Sequence, residues 1–121
     1  MTAKKWKEHI LAQMELKGTD SKGFESVIDT LANLLEQRDK IFAQYKKEGS
    51  LPLVEYISNR GEKNRVTNPL LKEWNNMNRD ALVYWRELGL TPAGLRKINE
   101  EALAKQNNMS ALDKVLANLE K

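Results

Sequence analysis

Chemistry would have to come from side chains that take up protons, attack an electrophile or hold a metal ion, and this chain has few of them. It contains no cysteine and a single histidine, His9. Thiolate nucleophiles, disulfides and thiolate metal sites are therefore excluded. His9 has neither an aspartate nor a second imidazole nearby in the sequence and reads as a surface residue. Most carboxylates lie on amphipathic stretches beside lysine or arginine. Glu100 and Glu101 are adjacent and so point to different sides of a helix, unlike the convergent carboxylates that hold divalent ions in a nuclease. Gly18 and Gly23 have the spacing of the first two glycines of a phosphate-binding loop. Phe24 and Glu25 come next, where a lysine and a hydroxyl would be needed to reach terminal phosphates and magnesium. No enzyme, cofactor, metal site or small-molecule substrate is expected.

What remains is clustered positive charge. Lys4, Lys5 and Lys7 fall in the first turns of a helix expected over Thr2–Leu16, whose apolar side is Trp6, Ile10 and Met14. Cations at a helix N-terminus oppose the macrodipole, which suits a partner with negative charge as well as it suits a solvated face. Arg60, Lys63 and Arg65 surround Glu62 at the tip of an expected β-hairpin over residues 51–67, a common device for touching phosphate. Its strands are read from Leu53, Val54, Tyr56 and Ile57, returning through Arg65, Val66 and Thr67, with Asn59, Arg60 and Gly61 as turn formers. A third pair, Arg96 and Lys97, lies further on. The net charge is only +3. Such a sum steers a polyanion only where it is locally concentrated, or where several copies pool their patches.

The elements that position these clusters are helical. Lys17 to Gly23 is a linker, and the longest helix is expected over Ser21–Lys47. Phe24, Ile28, Leu31, Leu35, Phe42 and Tyr45 form its apolar line, interrupted by Arg38, while Val27, Leu34 and Ile41 add a second stripe. Arg38 snorkels to solvent, pairs with an acid or contacts a partner, and Glu36 and Lys40 have the supportive helical spacing. Asn68 and Pro69 then start a further helix with Leu70, Trp74, Met77, Ala81, Trp85 and Leu88 on one face. Gly89 ends it, and Thr91 and Pro92 begin another, expected to run to Gln106 with Leu95, Ile98, Ala102 and Leu103 inward. Asn107 and Asn108 are expected to break that helix, and Ser110 to cap a last one. The chain thus divides into a basic helix and linker (1–20), a helical core with its hairpin insertion (21–106) and a helical tail (107–121). The tail could stay mobile until a partner orders it.

Ala81 to Trp85 are five consecutive uncharged and mostly bulky residues, which point in every direction around a helix. Either the helix is buried on several sides within its own chain, or Val83 and Tyr84 meet a neighbouring copy. On the second reading Trp74, Met77, Leu82, Val83, Tyr84 and Trp85 supply the contact between copies.

The Asn-Pro helix start, the aromatic-rich helix and the corner Leu88-Gly89-Leu90-Thr91-Pro92 together resemble the core signature of one family of phage terminase small subunits. The resemblance covers Phe24 to Ile98 and rests on the order of elements and the two proline corners. It implies a mainly α protein, a helical hairpin or bundle with a short β-hairpin insertion, assembling into a homo-oligomeric ring without enzymatic activity. It further implies binding of double-stranded viral DNA near the packaging start, regulation of a large terminase subunit that is the ATPase and nuclease, and a location in the host cell cytoplasm. In that family the C-terminal part often contacts the large subunit. Many relatives have a basic residue directly after the small pair that follows the corner proline; this chain has Leu95 there. On the reading that DNA is bound, the contacts expected are Lys4, Lys5, Lys7, Arg60, Lys63 and Arg65. Two alternatives are a helix-turn-helix regulator, whose reader would offer only Arg96, Lys97 and Asn99, and a helical adaptor that touches no nucleic acid.

A chain of 121 residues with 31% charged and 40% hydrophobic content suits one globular domain with helical extensions. No apolar run approaches the length of a membrane span. Trp6, Glu8 and His9 lie among and just after the early lysines, where a signal peptide would begin its apolar run. The start therefore does not read as a signal peptide, and an intracellular, soluble protein is expected.

Overall fold

The computed structural model describes residues 1–119. Four helices and one β-hairpin follow in the order α1 (Ala3–Leu16), α2 (Glu25–Lys47), β1 (Leu53–Ile57), β2 (Lys63–Thr67), α3 (Pro69–Glu87) and α4 (Pro92–Leu119). The mainly helical fold with a small two-stranded insertion is the one expected from the sequence. Helix α2 is the centre, packed by α1 on one side and α3 on another. Its residues Ile28, Leu31, Ala32 and Leu35 are buried with Ile10 and Met14 of α1 and with Ala81 and Leu88 from α3 and its end. Helix α2 begins at Glu25 rather than Ser21 because Gly23 takes φ +84° and turns the chain just before it.

Helices α2 and α3 run antiparallel, as three contacts along them show. Arg38 Nη1 donates to Asn78 Oδ1 at 3.2 Å. Phe42 stacks on Trp74 with ring centroids 4.8 Å apart. At the other end Leu88 is fully buried in the core. The β-hairpin is inserted between these helices at the Phe42–Trp74 end. Asn68 ties the insertion down. Its Oδ1 accepts from Leu70 N at 3.0 Å as the N-cap of α3, and its Nδ2 donates to Leu51 O at 2.9 Å. Holding both bonds, the side chain is buried although polar.

The corner between α3 and α4 is sterically fixed. Gly89 N donates to Arg86 O at 3.0 Å and Leu90 N to Trp85 O at 2.9 Å, the paired bonds of a Schellman cap. Gly89 supplies the left-handed residue, at φ +73°. Thr91 Oγ1 then accepts from Gly94 N at 3.1 Å and caps α4. Gly94 lies against the last turn of α3, where an added Cβ would clash with the Arg86 carbonyl oxygen.

Two sequence expectations fail in α4. The helix runs unbroken through Asn107, Asn108 and Ser110 to Leu119. Asparagine is a mediocre helix former but costs less than about 0.7 kcal/mol against alanine, and no glycine or proline follows Gly94 to enforce a stop. Ala102 and Leu103 are exposed instead of facing inward; Leu95 and Ile98 are half-buried. The physical reason is reach: α3 ends at the corner, so only the first turns of α4 have protein beside them.

Replacing Gly94 by alanine forces α4 away from α3, and overpacking of this kind typically costs about 1–3 kcal/mol. Urea denaturation of G94A is expected to show that loss, whereas A93S, at an exposed site one residue earlier, stays within about 0.5 kcal/mol of the parent.

Candidate nucleic-acid and subunit interfaces

The hairpin pairs Leu53 with Thr67, Val54 with Val66, Glu55 with Arg65, Tyr56 with Asn64 and Ile57 with Lys63. Alternation along the strands therefore puts Lys63 and Arg65 on the same face as Leu53, Glu55 and Ile57. Arg60 occupies the connecting turn, closed by Gly61 N donating to Ser58 O at 2.9 Å and Ser58 N to Glu62 O at 2.9 Å. All three cations are exposed. Glu55 is a residue that sequence reading missed. It stands directly across from Arg65, and its Oε1 is 4.0 Å from Lys63 Nζ. Both ends of that ion pair are largely solvated, so it is weak. Its effect is on the field: with Glu55 and Glu62 counted, three cations face two carboxylates at the tip. The strict cross-strand register could have disclosed it, had the pairing been legible.

The hairpin also exposes apolar surface. Tyr56 is 53% accessible and Ile57 61%. Among the described residues its strands pair only with each other, leaving both edges open.

The second basic cluster is held quite differently. The start of α1 is bolted to the middle of α2 by two carboxylates. Glu36 Oε2 accepts from Ala3 N at 2.8 Å, while Asp39 Oδ2 accepts from Trp6 Nε1 at 2.7 Å and from the α-amino group at 3.1 Å. Asp39 Oδ1 accepts from Arg38 at 3.1 Å, and the Arg38 guanidinium lies 5.3 Å from the centre of the Trp6 ring. Helix α1 has no acidic residue in its own first turn. The negative charge its N-terminus calls for comes instead from α2, which accounts for tolerance of lysines at that end. Arg38 is thus paired with an acid, one of the readings its place on the apolar line allowed, and the Glu36–Lys40 bridge forms at 3.1 Å.

These bonds depress both acids. The Ala3 N–H and then Lys40 hold Glu36 below its ordinary value. For Asp39, burial pushes upward but is outweighed by hydrogen bonds from Trp6, the α-amino group and Arg38, and the net shift is downward. Lys4 and Lys5 remain exposed, but Lys7 Nζ is 2.9 Å from Asp29 Oδ1. The structure brings Lys63 and Arg65 onto one face, with Arg60 beside them at the turn. It does not join them to the α1 lysines, which are mounted on a different element.

Of the central-helix residues, Trp74 is stacked on Phe42 and Met77 is half-buried, while Tyr84 and Trp85 lean on the core. Leu82 and Val83 face outward with 49% and 53% accessibility. The run Ala81 to Trp85 therefore divides: Ala81 is buried, the two aromatics are half-covered and the two aliphatics are left largely open to solvent. Val83 and Tyr84 border an open groove between α2 and α3, of about 240 Å³, with Thr30, Leu34 and Asp80 on its other sides. Arg96, Lys97 and Asn99 lie at the start of α4, with Arg96 and Lys97 exposed.

Among the described residues no three His, Asp or Glu side chains converge as metal ligands, and no helix is long and apolar enough to cross a membrane. The fold is a helical hairpin with a β-hairpin inserted between its two arms, whose tip carries Arg60, Lys63 and Arg65. The family model described as phage terminase, small subunit, matches residues 3–114. The chain belongs to that family, and the match extends well beyond the corner signature into α1 and most of α4. No curated protein and no solved structure matches it.

Because both acids titrate lower when folded, their stabilisation is complete above the unfolded carboxylate range and is lost as pH falls through their folded values. Urea stability is expected to be flat from pH 8 to about 5 and to decline below about pH 4. The pair E36Q/D39N is expected to lower the plateau and shallow the acid limb; an acid limb unchanged in that variant would contradict the assignment.

Proposed function

We propose that this small subunit assembles into a homo-oligomeric ring, binds double-stranded viral DNA near the packaging start and regulates the large subunit, the ATPase and nuclease, in the host cell cytoplasm. One observation supports the DNA half above others: a hairpin that stands off the helical body and carries Arg60, Lys63 and Arg65 in the open. A single tip has little net charge, so one copy binds weakly. A ring repeats it, and phosphate contacts then add across copies. Lys4 and Lys5 contribute from α1, and Lys7 does so by exchanging Asp29 for phosphate.

The ring half is supported by the outward Leu82 and Val83 next to an open groove. A cyclic assembly uses two different surfaces of each copy, one fitting the other. Tyr84, Trp85, Trp74 and Met77 lie along the same helix, and their half-covered sides complete the contact.

Two measurements test this reading. The native mass at micromolar concentration is expected to be a multiple of the 13.9 kDa chain; a monomer sinks the ring. Affinity for phage DNA is expected to fall steeply with salt, and K63Q/R65Q to flatten the log–log slope by about one for every phosphate contact removed. A slope identical to the parent's would remove the hairpin from the interface, and tight dimer binding to one short palindrome would favour the helix-turn-helix alternative.

A further inference from the structure

Helix α4 leaves the body after its first turns and continues, among the described residues, with no other element against it. A helix alone in water is marginal even with good sequence. This one is also expensive to solvate: Leu112, Leu116 and Leu119 are 60%, 51% and 76% accessible. Leu103 and Val115 apart, the large apolar residues of this helix follow one pattern in the sequence. Leu95, Ala102, Met109 and Leu116 recur every seven residues, and Ile98, Leu112 and Leu119 follow the complementary phase, with Lys105 the one polar occupant. That is an a/d seam at the 3.5-residue period of a left-handed coiled coil. It starts where Leu95 and Ile98 pack on the chain's own corner and simply runs on past it.

We propose that the part of α4 beyond Glu101 joins the same segment of neighbouring copies in a parallel, in-register coiled coil. This inference rests on the ring reading above and deepens it. Rotation about a ring axis points equivalent helices the same way at the same height, so parallel register follows from cyclic closure. The flanking charges permit it. In parallel register Glu101 of one helix faces Gln106 of the next, and Asn108 faces Asp113, so no flanking pair sets like charges together; within the seam Lys105 meets Lys105 of the next copy, a polar core position that fixes register at a cost in stability. Lys105 has Glu101 one turn before it on the same helix as its counter-charge.

The area sets the strength. A seam about 27 Å long and roughly 10 Å wide buries on the order of 500 Å² per pair, about half of what a stable interface requires. The seam therefore reinforces copies already held by other contacts and does not dimerise free chains.

The absence of cysteine makes the test direct. In the full-length protein under mild oxidation, L112C and L119C are expected to cross-link copies efficiently. N118C, on the far side of the helix, is expected to do so at least about tenfold less. An antiparallel pair over the same seam would set position 119 opposite 102 and leave L119C unlinked. The second variant, L112E/L116E, is expected to raise the concentration at which the assembly half-dissociates by about tenfold or more. Its monomer body should melt as before, because those side chains lie in the part of α4 that has left the body. A multi-copy native mass without L112C cross-links, or cross-links that need the large subunit, would overturn the seam while leaving the ring standing. A monomeric mass would overturn both.

Discussion

The burial of α2 between α1 and α3 is the interaction on which the remaining structure depends. Ile28, Leu31 and Leu35 are almost fully removed from water, and they meet residues from both neighbours. Burying one such side chain is worth about 1.5–3 kcal/mol. A chain this small has few other places to gain it. The body is a single helix wrapped on two sides, and everything beyond that wrap is left uncovered. The exposed hairpin, the outward face of α3 and the projecting α4 are consequences of one economy: there is not enough chain to cover them.

Polar bonds decide how the wrap is oriented. Glu36 and Asp39 fasten the beginning of α1 to the middle of α2, and Asn68 fastens the insertion at the Phe42–Trp74 end of the α2–α3 pair. Glu36 and Asn68 satisfy backbone groups that a helix end or turn would leave open, while Asp39 holds the Trp6 indole and the α-amino group. The lysines of α1 sit at an electrostatically adverse position that these carboxylates relieve. The basic surface of α1 therefore persists at neutral pH without a bound anion, available to a polyanionic partner.

On the proposed reading, function is a matter of presentation. The side chains with a claim to phosphate stand at a hairpin tip and on the outer face of α1, each weakly cationic in one copy. Their acidic neighbours, Glu55 and Asp29, temper that charge. Multiplication by assembly is what would turn such modest patches into a field able to hold DNA, and the same assembly would cover the apolar surfaces that a monomer leaves wet.

The amino-acid sequence by itself determined which stretches are helical up to the α3–α4 corner, the caps at Asn68 and Thr91, and the insertion. Three-and-four apolar spacing, Asn68-Pro69, Gly89 and Thr91-Pro92 are local signals, and local backbone preference answers them wherever the chain goes. The corner that links α3 to α4 was legible for the same reason, as was the Glu36–Lys40 pair. Only the tertiary structure decided which carboxylates meet α1, because Glu36 and Ala3 are thirty-three residues apart and nothing local joins them. It likewise decided that Ala81 turns inward while Leu82 and Val83 turn out, since a five-residue apolar run has no intrinsic inside. The continuation of α4 through Asn107 and Asn108 was misread from sequence: a weak helix former resembles a stop until the neighbouring turns, all of them competent, are weighed with it. Periodicity speaks for each element separately; which face is left without a partner depends on how much protein lies beside it.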